Sequence, residues 1–448
     1  MNSSPAGTQP FGVWLSGAQG SLTSTLTNVN VNGNGTGLKL DETNHSLVAN
    51  LLGVSANGNV NDGVDITGVN GSVTINALNG GLPLVANGNG GTGILYSQTG
   101  GTGLINLTGV QANSNGLDGI GLVNSAATTT TNIVNGTINS NARDGIHNPI
   151  SNGSNSIVNV DPTVISNNGR DGYFFSVTGG SSLVKNFTND TMNNNGRSAF
   201  FGTLDNGTVT SSITNTSGQF STLNGLHVDA ANGSTFTSNI NGSTLSNNTG
   251  AGIDIQLLSG SSATINSSLS EINNNTQNGV FVSAAGLSNF HGAFDNSQII
   301  GNGGNGVRLS LDNSPSSTLA LTGGTSVSNN GTNGVLVDAT NSTNLTPTIS
   351  NAIISGNILD GLRFNVASGS TVGAGTIANS SIFDNRNSGL EVNVMGANSS
   401  SDFAITNSFI TNSAGIAPQQ NALLFNVATG GRGYDGTTAT THYFGATV

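Results

Sequence analysis

The sequence predicts an all-β fold, a parallel β-helix (β-solenoid) of about 16 coils of about 27 residues, with three short strands per coil. Three observations predict it. A small residue followed by apolar–any–apolar recurs from Gly12 to Ala422, and between Gly119 and Gly389 every interval is 26 to 28 residues. The segment after each such anchor alternates with period 2. An asparagine sits four residues before nearly every anchor.

Each element of the repeat has its own reason. Positions +1 and +3 after the anchor are apolar, as in Ile253 and Ile255 or Val280 and Val282, which reads as a strand with one buried face. Seven residues before the anchor a second apolar position recurs, in Ile138, Ile165, Met192, Leu245 and Ile272. A third, looser segment lies mid-repeat, as in Ala263-Thr264-Ile265 and Leu319-Ala320-Leu321. The asparagines are Asn115, Asn141, Asn168, Asn195, Asn248, Asn275, Asn302, Asn330, Asn357 and Asn385, continuing the earlier Asn59 and Asn89 and interrupted by Ser221. A buried amide is costly alone. Stacked about 4.8 Å apart on successive coils, these amides satisfy one another, so an internal Asn ladder is expected. The helix is expected to fill residues 1–425, with 1–11 as a possible cover for its first edge and 426–448 as a tail or cap.

The pattern Ser166-Asn167-Asn168 before Gly172, and Ser328-Asn329-Asn330 before Gly334, resembles the right-handed parallel β-helix repeat of the pectate-lyase-like superfamily. Right-handedness agrees with the bias of parallel crossovers. The resemblance implies a fold shared by polysaccharide lyases and hydrolases, phage tailspikes and surface adhesins. In the lyases it implies a calcium-binding acidic cluster beside an Arg or Lys.

Composition narrows the partners. The chain has 448 residues, 9 Lys plus Arg against 21 Asp plus Glu, a net charge of −12 and no cysteine. A net acidic chain with nine basic residues has no electrostatic footprint for nucleic acid, no disulfide or Cys-based zinc site is possible, and no apolar run reaches the ~18 residues of a membrane span. Met1 to Gly17 lacks the basic start and apolar stretch of a signal peptide. A secreted or cell-surface location then requires a signal already removed or a longer parent chain.

Position +2 of each repeat points outward. There the chain places Phe174, Phe201 and Phe281, the first two one coil apart. Two residues before the anchor, three successive coils carry Arg143, Arg170 and Arg197; one residue before it stand Asp118, Asp144 and Asp171. The aromatic and Arg columns are candidate binding residues for a glycan or a surface protein. The acidic column reads as a surface ion-pair lattice with the arginines, worth little per pair; calcium held by it is the weakest option, because of the Arg neighbours. His147 and His227 share a face three coils apart, too far for a relay or a shared metal. No catalytic residue and no metal ligand is assigned. The expected function is a structural or adhesive solenoid presenting a rigid face, joined end to end or built into a longer surface protein. The alternative is a polysaccharide-binding or polysaccharide-active protein using the face near Phe174 and Arg170.

Overall fold

The computed structural model describes residues 9–17, 19–78, 81–411 and 421–428. In the two long sheets each interior strand pairs in parallel with its equivalents one coil earlier and one coil later, as Ile146 pairs with Tyr173 and Tyr173 with Phe200. Among the described residues, sixteen first-sheet strands mark the coils. The chain divides into two compact units, residues 1–229 with 234–249, and 230–233 with 250–448.

In the first unit the coil Gly145–Gly172 shows the plan. Strand Ile146–Ser151 lies in the first sheet, Asn155–Val160 in the second, and Thr163–Val164 in a short third. In the second unit the third strands lengthen to three residues, as in Gln298–Ile300, Ser326–Ser328 and Ile353–Ser355. Inward positions are fully buried, among them Ile253, Ile255, Ile272, Ala263 and Ile265. The alternation read from the sequence is therefore the alternation of core and surface. The N-terminal residues 1–8 and most of the expected cap, 429–448 with Tyr434, Tyr443 and Phe444, lie outside the described residues.

The Asn ladder is present, with one interruption at Ser221. The N–H and Nδ2 of Asn141 both donate to Asn168 Oδ1 at 3.1 and 3.0 Å, while Nδ2 also reaches back to the Ala112 carbonyl at 3.0 Å. Asn275, Asn302, Asn330, Asn357 and Asn385 repeat the pattern in the second unit. The anchor glycine belongs to the same device. A Cβ on Gly145 would stand 2.8 Å from Asn168 Nδ2 and 2.7 Å from the Gly172 carbonyl, so the approach requires glycine. The preceding Asn167 takes φ +59, a left-handed turn that asparagine tolerates and that aims Asn168 inward. At the interruption, Ser221 accepts nothing from Asn195, its buried Oγ has no hydrogen bond, and Asn195 Nδ2 turns to its own coil's Met192 carbonyl instead.

Two further ladders run through the other turns. Between the second and third strands, Thr163, Asp190, Thr216 and Ser243 each accept the N–H of the equivalent residue one coil earlier. Between the first and second, Ser154 and Ser181 do the same. Each turn leaves an inward N–H that the sheet does not pair, and a short polar side chain from the next coil satisfies it. That is the physical origin of the chain's wealth of Ser, Thr and Asn.

Candidate functional site

The site is built where the anchor bends the chain. Residues one before and two after an anchor come together across the bend, so Asp144 meets His147: Oδ2 and Nδ1 are 2.9 Å apart. The same offset brings Asn224 to His227 and Asp360 to Arg363.

Asp118, Asp144 and Asp171 are not in an exposed lattice. They are 5%, 0% and 0% exposed. Their Oδ1 atoms accept the N–H of Asp144, Asp171 and Ser198 at 3.0, 3.1 and 3.1 Å, which makes them a fourth ladder. The arginines pair with them one coil back. Arg197 is fully committed to Asp171, through Nε at 2.9 and 3.0 Å and through Nη2. Burial works against the Arg197 charge, but these bonds outweigh it and push its pKa further up. Arg143 lies 3.7 Å from Asp118 and Arg170 3.6 Å from Asp144. Neither makes a side-chain hydrogen bond among the described residues.

On the outer face the rings form a row. His147 stacks on Phe174 at 4.8 Å, Phe174 on Phe201 at 6.0 Å, and Phe201 on His227 at 4.7 Å, with interplanar angles of 10°, 16° and 23°. Arg197 lies 3.8 Å over the Phe201 ring and Arg170 5.9 Å from that of Phe174. Phe174 and Phe201 are half-buried. Phe281 stands apart in the second unit, in register with Asp254 and Arg308. His147 and His227 are thus bridged by two rings, with no direct contact.

Asp118, Asp144 and His147 each offer one ligand atom within 4.8 Å of the others. They could hold a divalent ion, calcium included. Two carboxylates and one imidazole cover only part of calcium's usual six to eight oxygens, so water or a ligand would supply the rest. The two carboxyls are also pulled apart. Burial pushes Asp118 up. Burial pushes Asp144 up too, but the His147 hydrogen bond, the Asp171 N–H and Arg170 outweigh it and hold it below the usual range. Such divergence is how neighbouring carboxyls divide acid and base roles.

This cluster corrects the reading that left an enzyme open but leaned against one and assigned no catalytic residue. That reading considered His147 only against His227, and treated the aspartates as a surface lattice. The missed signal was Asp144-Gly145-Ile146-His147, an acid and an imidazole at −1 and +2 of one anchor. The geometry supplies a buried carboxylate oriented on a histidine, beside a second carboxyl of different affinity for protons.

No family model matches the chain, and no curated protein matches it. Among solved structures, the A-module of mannuronan C-5 epimerase AlgE6 from Azotobacter vinelandii is similar over 77% of this chain and 88% of its own, at 15% identity and a TM-score of 0.32. The A-module of the AlgE4 enzyme of the same organism is similar over 93% and 88%, at 12% identity and a TM-score of 0.26. At these values the fold stands on the chain's own ladders and registers. Among the described residues, no helix is long and apolar enough to cross a membrane.

Proposed function

We propose that this chain binds and acts on a polysaccharide lying along the row His147–Phe174–Phe201–His227. The observation that carries the reading is the conjunction of that rigid row with the Asp118–Asp144–His147 cluster at one end of it. The row offers apolar contact to sugar C–H faces. Arg143 and Arg170, with N–H groups still unspent, favour an acidic sugar, whose carboxylate takes guanidinium donors well. Asp144 holds His147 through Nδ1, which leaves Nε2 as the nitrogen that takes up or delivers a proton on a bound sugar. Asp118, kept protonated more readily, is the candidate acid. Such a substrate fits a protein that works outside the cell or at its surface.

The test is a panel of acidic and neutral polysaccharides, read by affinity electrophoresis and by the appearance of new reducing or unsaturated ends. An acidic polymer is expected to bind. The Phe174→Ala/Phe201→Ala double variant should weaken binding by about tenfold or more, ~1.4 kcal/mol. His147→Gln should weaken binding less than the double variant does and abolish turnover. Binding unchanged in the double variant, or turnover unchanged in His147→Gln, overturns the reading.

A further inference from the structure

The chain contains only two lysines, Lys39 and Lys185. Lys39 reaches Asp65 at 2.7 Å near the surface. Lys185 lies in the core, 0% exposed, and its Nζ has no hydrogen-bond partner. Four rings surround it: Phe200 at 4.7 Å, Phe175 at 5.1 Å, Phe187 at 5.6 Å and Tyr173 at 5.9 Å. Gly202 helps to build this cage, because a Cβ there would stand 2.0 Å from Phe175 Cζ. The neighbours of Lys185 in its own column are Val158 and Ser211, and the Ser211 hydroxyl is also unpaired.

The cage and the outer ring row share two strands. On Tyr173–Thr178 the side chains of Tyr173 and Phe175 point in and Phe174 points out; on Phe200–Asp205, Phe200 points in and Phe201 out. We propose that Lys185 is a proton-sensitive latch, whose charging in the ring cage loosens the two strands that carry Phe174 and Phe201. The proposal stands whether or not the row takes a glycan.

Asp190, buried two residues past the Lys185 strand, is pushed up to about 8 and acts in the opposite sense as pH rises to that value; wild type and Lys185→Met share it, so their difference isolates the lysine. The lysine's own strand Ser182–Thr188 and the flanking Asn155–Val160 and Thr208–Thr214 carry no other ionisable residue. Tyr173 faces the lysine, with its phenol pushed up by burial and so neutral. Asp205 stands at the far end of Phe200–Asp205 and is exposed. Ring faces attract an ammonium, but four of them, with no hydrogen bond to Nζ, do not replace its hydration. Burial accordingly pulls the Lys185 amine from 10.5 to about 7. Between those values the unfolded chain holds a proton that the folded chain lacks, so the lysine's contribution to stability rises as pH rises from about 7 to about 10.5.

The test is heteronuclear NMR of lysine side chains, in which only two signals occur, together with hydrogen exchange of peptides spanning 173–205 from pH 7 to 10. The expected result is one lysine titrating near 7 that disappears in Lys185→Met. Exchange of those strands, corrected for intrinsic rate, should slow by tenfold or more across the window in the wild type (~1.4 kcal/mol) and change far less in Lys185→Met. Methionine keeps the length and the ring contacts, so the variant should fold. Both lysines titrating near 10.5, or identical exchange profiles in the two proteins, overturns the proposal.

Discussion

One residue before the anchor, three successive coils of the first unit carry carboxylates, Asp118, Asp144 and Asp171, where three successive coils of the second carry amides, Asn278, Asn305 and Asn333. Asp118, Asp144 and Asp171 accept backbone N–H groups with the same geometry as Asn278, Asn305 and Asn333. The difference lies in what remains. An amide closes on itself: Asn305 Nδ2 donates to Asn278 Oδ1 at 3.0 Å, and Asn333 Nδ2 to Asn305 Oδ1 at 3.0 Å. A carboxylate has no donor to give, so its second oxygen calls for a donor from outside the ladder. Asp144 finds His147 and Asp171 finds Arg197. In the second unit, Asp360 has Arg363 at 3.5 Å, and its buried Oδ2 still lacks a hydrogen bond. A ladder of amides is inert scaffold; exchanging amide for acid turns the same scaffold into a place where cations and protons gather.

The comparison breaks most directly in the second unit. Asn333→Asp removes the donor to Asn305 and sets two acceptor oxygens against each other, and the residue two after its anchor is Leu336, so no Arg stands across the bend from the new charge. The expected loss is about 3–5 kcal/mol at pH 7, the usual penalty for an unpaired buried charge, measured by urea unfolding. It should shrink as the pH falls and the new carboxyl is protonated. An unfolding midpoint equal to that of the wild type would show that amide and acid are interchangeable there.

A natural instance of the same exchange sits in the Ser/Thr ladder. Asp190 occupies a place otherwise held by Thr163, Thr216 and Ser243; its Oδ1 accepts the Thr163 N–H at 2.7 Å, and its buried Oδ2 has no partner. Burial pushes its carboxyl up to about 8, against the Thr163 and Thr188 N–H groups. With the folded value raised, the folded chain holds the extra proton between 3.8 and about 8. Its contribution to stability is full at low pH and is lost as pH rises through about 8. Asp190→Thr keeps an acceptor for Thr163 and removes the acid. Above pH 8 the variant should be more stable than the wild type by about 3 kcal/mol, a discounted figure from ~1.4 kcal/mol per unit. A variant less stable at every pH would mean that the acid is satisfied in a way its geometry does not indicate.

Legibility followed the repeat. The anchors, the period-2 strands and the Asn series depend on position within a coil, and 27-residue periodicity exposes them in a single sequence. The Ser/Thr ladders were less visible, because Ser and Thr are also common in the turns that face water. The site depended on a distance the sequence does not display, the closure of −1 on +2 across the anchor bend. Asp144 and His147 were each noticed in a separate column, and only the bend joins them. Lys185 was invisible for a different reason: a mid-repeat lysine reads as surface, and the rings that enclose it come from Tyr173, Phe175, Phe187 and Phe200 on three different strands.

The smallest expected change in stability sharpens the comparison furthest. Asp144→Asn puts an amide in the acidic column. The new Oδ1 can still accept the Asp171 N–H, the bond that ties the two coils together. The variant gives up the charge that Arg170 approaches at 3.6 Å and that His147 Nδ1 touches. A buried charge is expensive to hold, and its loss offsets much of the lost pairing. Unfolding should therefore move by about 1 kcal/mol or less, within the range of an ordinary hydrogen-bond exchange. The chemistry should move far more. With one of its two carboxylates gone, the Asp118–Asp144–His147 cluster should lose about tenfold or more in affinity for calcium or manganese, titrated calorimetrically as free metal against the whole chain. A fall in stability of several kcal/mol would mean that charge, not hydrogen-bond geometry, holds the first unit's ladder together, and that the amide column of the second unit is a different device. Unchanged stability with unchanged metal affinity would show that the acid at 144 serves only as a ladder rung.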